Sequence, residues 1–144
     1  MYADDLEQII QTVFTTMFEM ELVRQDEVVA SESAPLLATV QIAGAWTGSV
    51  VLAISSDLIR TAASRMLNCD ATEITTEDQQ EVASELANMI GGNLKSILPA
   101  PSILSIPTVG PNHNPESAIT HGDLHLQLTF TGEVGSLLVG VYSR

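Results

Sequence analysis

The chain has 144 residues, of which 45% are hydrophobic and 16% are charged, and this composition indicates one domain with a hydrophobic core and not a disordered chain. The formal net charge of -13 repels phosphate backbones, so nucleic acid is a poor partner. A single cysteine, Cys69, excludes an internal disulfide, and no apolar run approaches the ~20 residues that span a membrane. A secretory signal peptide begins with positively charged residues, whereas this chain has Asp4, Asp5 and Glu7 there. We therefore expect a cytoplasmic protein.

The first half of the chain is predicted to hold two helices around a β-hairpin. Apolar residues at helical spacing predict a first helix from Ala3 to Met20, and a short strand is predicted at Val28 to Ala30. Two strands are predicted from apolar and β-branched residues, at Leu36 to Ala43 and at Ser49 to Ile54. The link "GAWTG" between them favours a hairpin. The segment "SSDLIRTAASRML" then begins with a serine that suits the N-cap of a second helix.

A long helix is predicted from about Thr76 to Leu98. Thr76 and Gln79 have the spacing of a capping box at its start, and Pro99 and Pro101 follow its end.

The remaining segments are predicted to be strands. Ile103 to Val109 is a short candidate, Leu124 to Thr131 alternates apolar and polar residues, and Ser136 to Tyr142 is the last strand. Strands joined by short turns, with helices between the groups, favour an α+β fold: a single domain over residues 1–144 with a mostly antiparallel sheet and helices packed on it.

One side of the long helix is polar in an unusual way. On a helical wheel, Glu81, Glu85, Asn88 and Gly92 form a straight stripe opposite the apolar residues. Two glutamates four residues apart with no lysine mildly destabilise a helix, and the adjacent glycines, Gly91 and Gly92, cost about 1 kcal/mol each relative to alanine. An ordinary solvated face is the simpler explanation, but selection for stability alone would remove these residues. We therefore interpret the stripe as a surface for a partner.

The segment "ELANMIGGN" has the spacing Glu-x-x-Asn-x-x-x-Gly-Asn, and a proline, Pro111, lies 23 residues after the asparagine. The fixed positions are occupied by Glu85, Asn88, Gly92 and Asn93. This pattern resembles that of the CheX-type members of the CheC/CheX/FliY family of chemotaxis phosphatases. The family prefers Asp or Ser four residues before the glutamate, where this chain has Glu81.

The resemblance implies a CheC-like fold and hydrolysis of the aspartyl phosphate of a CheY-like response regulator. It implies that Asn88 orients the attacking water and that Glu85 pairs with the regulator's lysine. It also implies that Mg²⁺ comes from the regulator, so the protein needs no cofactor or metal of its own, and that a homodimer forms through exposed strands. Members with two sites repeat the motif on the first helix. In this chain Glu7 stands at the glutamate position there, but Ile10 stands at the asparagine position, so a single site is expected.

The supporting positions implied by the resemblance are Glu81, Gly92, Asn93 and Pro111. Asn93 falls toward the core side of the wheel, where a side-chain amide needs partners. We expect it to bond the backbone where the helix meets the loop around Pro111.

Two other functions remain open. The first is a non-catalytic binding or dimerisation module of the same fold, in chemotaxis or another two-component pathway. The second is a metal-dependent hydrolase that uses His121 and His125 around Asp123, although two histidines without further ligands are weak evidence for a metal. Trp46, in the predicted hairpin turn, either anchors an interface or folds back on the sheet.

Overall fold

A computed structural model describes residues 2–26, 36–111 and 123–143, and in this part of the chain three helices pack on one antiparallel sheet. The helices are α1 (Ala3–Phe18), α2 (Ser56–Leu67) and α3 (Thr76–Lys95). The strands are β1 (Val23–Gln25), β2 (Leu36–Gly44), β3 (Gly48–Ile54), β4 (Ser102–Leu104), β5 (Thr108–Pro111), β6 (Asp123–Gly132) and β7 (Gly135–Ser143). The predicted α+β class is confirmed.

The sheet has the strand order β1-β6-β7-β3-β2, and β4 and β5 pair with β2 one after the other along its outer edge. All pairs are antiparallel, as the predicted hairpins require. Gly44 and Gly135 have φ values of +144° and +139° at the hairpin ends, in a region that residues with a Cβ rarely adopt. Alternate residues of the four long strands contribute to the core, which lies between the sheet and the helices.

Several predicted boundaries were wrong. The helix α1 ends at Phe18, before Met20, because Glu19 takes a left-handed conformation and Arg65 donates hydrogen bonds to the carbonyls of Phe18 and Glu19. The strand after it is Val23–Gln25, and the strand predicted at Val28 to Ala30 lies outside the described residues.

The segment predicted as one strand from Ile103 to Val109 forms two, β4 and β5. Both pair with β2, at different points along its length: Ile103 lies opposite Ala43, and Val109 lies opposite Ala38. The chain leaves and rejoins the edge of the sheet at Pro107, which cannot donate a backbone hydrogen bond.

The capping box of the long helix α3 begins one residue earlier than the sequence predicts. Thr75 is the N-cap, its hydroxyl accepts from the Asp78 N–H at 3.0 Å, and the Asp78 carboxylate accepts from the Thr75 N–H at 2.9 Å. The capping box predicted for Thr76 and Gln79 was therefore wrong. The helix ends at Lys95, before the predicted Leu98.

The buried side of α3 lies over β2 and fixes where the opposite side points. Its buried residues are Val82, Ala83, Leu86, Ala87, Ile90, Gly91 and Leu94. Small residues on this side allow close contact with the sheet: a Cβ added to Gly91 would lie 2.7 Å from Cγ1 of Val40. None of the described helices is both long and apolar enough to cross a membrane.

Candidate functional site

The predicted polar stripe lies on the surface of α3, opposite its contact with the sheet. Glu81 and Glu85 are exposed, and Asn88 and Gly92 are half-buried. The side chains of Glu81, Glu85 and Asn88 make no hydrogen bond or ion pair with any described residue. The carboxamide of Asn88 therefore keeps its donors and its acceptor available.

The helix holds this stripe rigidly. A helix of 20 residues is about 30 Å long, and α3 is closed at its start by the Thr75–Asp78 capping box and held along its length by the core. Glu85 and Asn88 are three residues apart, which is about 4.5 Å along the axis on one side of the helix. The two side chains can thus reach a single docked surface together.

A shallow groove of about 600 Å³ runs beside the stripe, between α3 and the edge of the sheet. Glu77, Glu81 and Glu85 line its helix side, and Pro107 and Val109 line the other. Both salt bridges among the described residues involve Arg24 of β1, so none of these glutamates has a basic partner there. The stripe and its groove therefore attract cations and repel a free phosphate ion.

The sequence prediction did not include the groove-lining residues Glu77, Pro107 and Val109. Glu77 continues the spacing of Glu81 and Glu85 by one turn toward the N-terminus and could have been found from the helical period alone. Pro107 and Val109 come from the sheet edge, and no local signal in the sequence connects them with α3.

Two predicted supporting residues lie elsewhere than expected. Asn93 is exposed, so its predicted core position was wrong, and its Nδ2 donates to the carbonyl of Met89 one turn back at 2.7 Å. It makes no bond to the described residues near Pro111, and the rest of that loop, residues 112–122, lies outside them. Asn93 follows Gly92 in the chain, but successive residues of a helix point about 100° apart, so Asn93 lies off the stripe. Pro111 is the last residue of β5 and lies opposite Leu36 of β2.

The helix α1 carries no equivalent stripe. At the matching positions Glu7 pairs with Arg24, with 3.1 Å between Oε1 and Nη1, and Ile10 is fully buried. The glutamate is thus already paired within the chain, and the position of the asparagine belongs to the core.

Only one of the two histidines that suggested a metal site lies within the described residues. His121 lies outside the described residues, and His125 lies on β6 with its ring centroid 6.5 Å from that of Tyr2. Among the described residues, no group of three or more His, Cys, Asp or Glu side chains could hold a metal ion. Trp46 is half-buried and packs against the core, with its ring beside Gly48, so it folds back on its own hairpin.

Cys69 is half-buried between α2 and α3. Partial burial raises the pKa of its thiol, and the carboxylates of Glu73, Asp78 and Asp70 raise it further. The raised pKa keeps this thiol protonated at neutral pH, which is its less reactive form.

Three helices packed on one antiparallel sheet form a CheC-like fold. The family model described as "Chemotaxis phosphatase CheX" matches residues 36–131, about two thirds of the chain. The chain therefore belongs to this family, as the pattern around Glu85 and Asn88 predicts. Among curated proteins, no sequence matches the chain.

Solved structures share the fold along nearly the whole chain. The CheX chemotaxis protein from Vibrio vulnificus is 20% identical with a TM-score of 0.81, covering 99% of this chain and 96% of its own. CheX from Desulfovibrio desulfuricans is 20% identical with a TM-score of 0.79, covering 99% and 98%. The CheX–CheY–BeF₃–Mg²⁺ complex from Borrelia burgdorferi matches at 17% identity with a TM-score of 0.74, covering 100% and 98%. At these identities the likeness shows the fold alone.

Proposed function

We propose that the protein hydrolyses the aspartyl phosphate of a CheY-like response regulator, and that Asn88 and Glu85 act in the regulator's own phosphorylation site. The observation that carries the proposal is the state of Asn88: its carboxamide lies on the outer side of a rigid helix, one turn from Glu85, without a hydrogen bond to any described residue. Membership of a family of chemotaxis phosphatases supports the same reaction.

The reaction needs positioning more than activation. An acyl phosphate already has a good leaving group, so catalysis requires a water molecule held in line with the bond between phosphorus and the aspartyl oxygen. A carboxamide offers an acceptor for a proton of that water and a donor for a phosphoryl oxygen. As the water oxygen bonds to phosphorus, the bond to the aspartyl oxygen breaks, and the products are the free carboxylate and inorganic phosphate.

Glu85 is assigned to docking. A receiver domain carries a lysine beside its phosphorylated aspartate, and the Glu85 carboxylate, one turn before Asn88, is placed to pair with that lysine. Without this cation, the carboxylates of Glu81 and Glu85 would repel the phosphoryl group. The site is thus composite: the chain supplies the amide and the carboxylate, and the receiver supplies the lysine, the phosphoaspartate and Mg²⁺. The Borrelia burgdorferi complex holds CheX, CheY, BeF₃ and Mg²⁺ together, which supports this division.

The test is phosphate release from a phosphorylated receiver domain. The wild type is expected to accelerate release, and Asn88→Ala is expected to lose about 100-fold in kcat, the scale seen when one positioned hydrogen-bonding group is removed. Binding of Asn88→Ala to the beryllofluoride-activated receiver should remain. Gln41→Ala, which removes an exposed carboxamide from β2, serves as the matched control. Binding by the wild type without acceleration would replace the phosphatase with a non-catalytic binding module.

We also propose a homodimer through the sheet edge formed by β4 and β5. Ile103 of β4 is 75% exposed and Ile106, in the link between β4 and β5, is 87% exposed, and exposed apolar residues at a sheet edge favour pairing with another chain. Sedimentation of the wild type and of Ile106→Asp tests this, because the variant should shift a dimer toward monomer. A wild type that sediments as a monomer would contradict it.

A further inference from the structure

We propose that Lys95 is a second docking residue for the receiver domain, and that it pairs with a carboxylate of the receiver. This carboxylate would lie on the opposite side of the phosphoaspartate from the receiver's lysine. Lys95 is the only lysine in a chain with a formal net charge of -13, and it lies in the last turn of α3. The inference rests on the proposed function, since it concerns how the same partner is oriented.

Helix geometry places Lys95 in line with the stripe. The seven steps from Asn88 to Lys95 rotate the side chain by about 700°, which is roughly 20° short of two full turns. They also advance it by about 10.5 Å along the axis. Gly92 lies between the two residues, and a Cβ added there would meet no atom within 4 Å. Lys95 therefore continues the stripe by one turn, on the same side of α3 as Asn88.

Lys95 has no charge partner among the residues that the structure describes. The side chains of Arg24, Arg60 and Arg65 each donate a hydrogen bond to another described residue. The half-buried side chain of Lys95 forms no hydrogen bond or ion pair with any of them. A cation in the last turn also stabilises the negative end of the helix dipole, but that effect does not depend on which side of the helix the cation occupies. The dipole alone therefore does not explain why this cation is on the stripe.

The stripe and Lys95 together are electrically polar along the axis of α3. Glu81 and Glu85 lie before Asn88, Lys95 lies after it, and the ten steps from Glu85 to Lys95 span about 15 Å. A stable interface covers about 800 Å² on each partner, a patch roughly 30 Å across, so a receiver centred on Asn88 covers both ends. Turning that receiver end to end would bring its lysine to Lys95 and its carboxylate to Glu85, and both contacts are repulsive. The charges thus select one orientation, and a receiver whose lysine and carboxylate are about 15 Å apart.

The experiment measures KM and kcat with a phosphorylated receiver domain for three variants of Lys95. Lys95→Gln should raise KM about threefold and Lys95→Glu about tenfold, the scale of first losing and then reversing one exposed ion pair. Lys95→Arg keeps the charge and should stay within about twofold of the wild type. The kcat should change by less than about twofold in all three, because Asn88 and Glu85 are untouched.

A displaced lysine separates docking from the helix dipole. Lys95→Gln combined with Ser96→Lys keeps the net charge and a cation at the end of α3, at an exposed position about 100° away around the axis. This double variant should keep the raised KM of Lys95→Gln, and Ser96→Lys alone should leave KM unchanged. A double variant with the KM of the wild type would show that Lys95 acts through the dipole or the net charge, and would overturn the inference.

The remaining outcomes separate this inference from the proposed function. An unchanged KM in both Lys95→Gln and Lys95→Glu, with an active wild type, would overturn the inference and leave the phosphatase intact. A lower kcat with an unchanged KM would also overturn it, because Lys95 would then act on the reacting group and not in docking. A wild type that binds the beryllofluoride-activated receiver without hydrolysis would overturn the phosphatase alone, and the Kd values of the same variants would test the inference with the same expected ratios. A wild type that neither binds nor hydrolyses would overturn both.

Discussion

Gly91 and Gly92 are neighbours in the chain but meet opposite surroundings. A Cβ added to Gly91 would lie 2.7 Å from Cγ1 of Val40 and 3.2 Å from Cδ1 of Leu104, whereas a Cβ added to Gly92 would meet no atom within 4 Å. Gly91 is therefore explained by the close approach of α3 to β2 and β4. Nothing inside the described chain explains Gly92, which leaves an open notch on the stripe.

Replacing each glycine by alanine should separate these two roles. Gly92→Ala should raise the free energy of unfolding by about 1 kcal/mol, because alanine favours a helix. Gly91→Ala must displace Val40 and should be less stable than Gly92→Ala by about 1–3 kcal/mol, the usual range for overpacking. Urea unfolding measures both values.

Despite its greater stability, Gly92→Ala should dephosphorylate the receiver more slowly, since the added methyl group stands where the partner approaches. Full activity in this variant would remove Gly92 from the proposed interface. Equal stability of the two variants would contradict the different packing of the two glycines.

The charge of Glu85 should govern docking more than that of Glu81. Glu85→Gln keeps the size of the side chain and removes its charge, so we expect KM for the phosphorylated receiver to rise by about fivefold, within the range of an exposed ion pair. Glu81→Gln is the matched control and should have a smaller effect. Added salt should raise the KM of the wild type toward that of Glu85→Gln, because screening weakens the same interaction. Equal KM values for the wild type and Glu85→Gln would exclude the ion pair.

Restoring the family motif on α1 should not restore a second site. Ile10→Asn recreates the spacing Glu-x-x-Asn with Glu7, but Ile10 is fully buried and Glu7 is paired with Arg24. The variant should lose about 3 kcal/mol or more of stability, because it removes a core side chain and buries an amide. Ile97→Asn, at a position 40% exposed, is the control and should cost far less. A stable Ile10→Asn variant with doubled activity would contradict the prediction that α1 cannot form a second site.

The start of α3 offers a direct comparison of adjacent threonines. Thr75→Ala removes the hydroxyl that accepts from the Asp78 N–H and should lower the free energy of unfolding by about 1 kcal/mol. Thr76→Ala, in the first turn of the helix, should change it little, since the cap remains. Urea unfolding of the two variants distinguishes them. A larger loss for Thr76→Ala would favour the capping box predicted from the sequence.

The thiol of Cys69 should react slowly with an alkylating reagent. Its raised pKa leaves less thiolate than a free cysteine has at the same pH, and the thiolate is the reactive form. Alkylation by iodoacetamide at pH 8 should therefore be slower than for a cysteine peptide and should accelerate as the pH rises through the raised pKa. Glu73→Gln should speed the reaction, because it removes one of the charges that raise the pKa. A rate equal to that of the free peptide would contradict the raised pKa.

Local patterns were enough to predict much of the fold. The hairpin of β2 and β3 follows from two β-branched segments around glycines, and α2 follows from its serine cap and apolar face. The surface position of Glu81 and Glu85 follows from the helical period of α3, because opposite sides of an amphipathic helix meet opposite surroundings. The short edge strands were harder: the break at Pro107 divides one apolar segment into β4 and β5, and their pairing with β2 depends on contacts far apart in the sequence.

The rotation of α3 could not be predicted to the nearest residue. The helical wheel predicts a core side made of Val82, Leu86, Met89, Ile90, Leu94 and Ile97. In the structure Met89 is only half-buried and Ile97 is exposed, whereas Ala83, Ala87 and Gly91 are buried, so the buried side is rotated from the predicted one. This turn leaves Ile97 and Asn93 at the surface beside α1.

The amino-acid sequence by itself determined the period of α3, and with it the common side shared by Glu85 and Asn88, because side-chain direction along a helix depends only on residue spacing. Only the tertiary structure decided what flanks that side. The groove beside Glu81 and Glu85 needs Pro107 and Val109, and these residues are brought to α3 by the edge of the sheet, which no local pattern encodes.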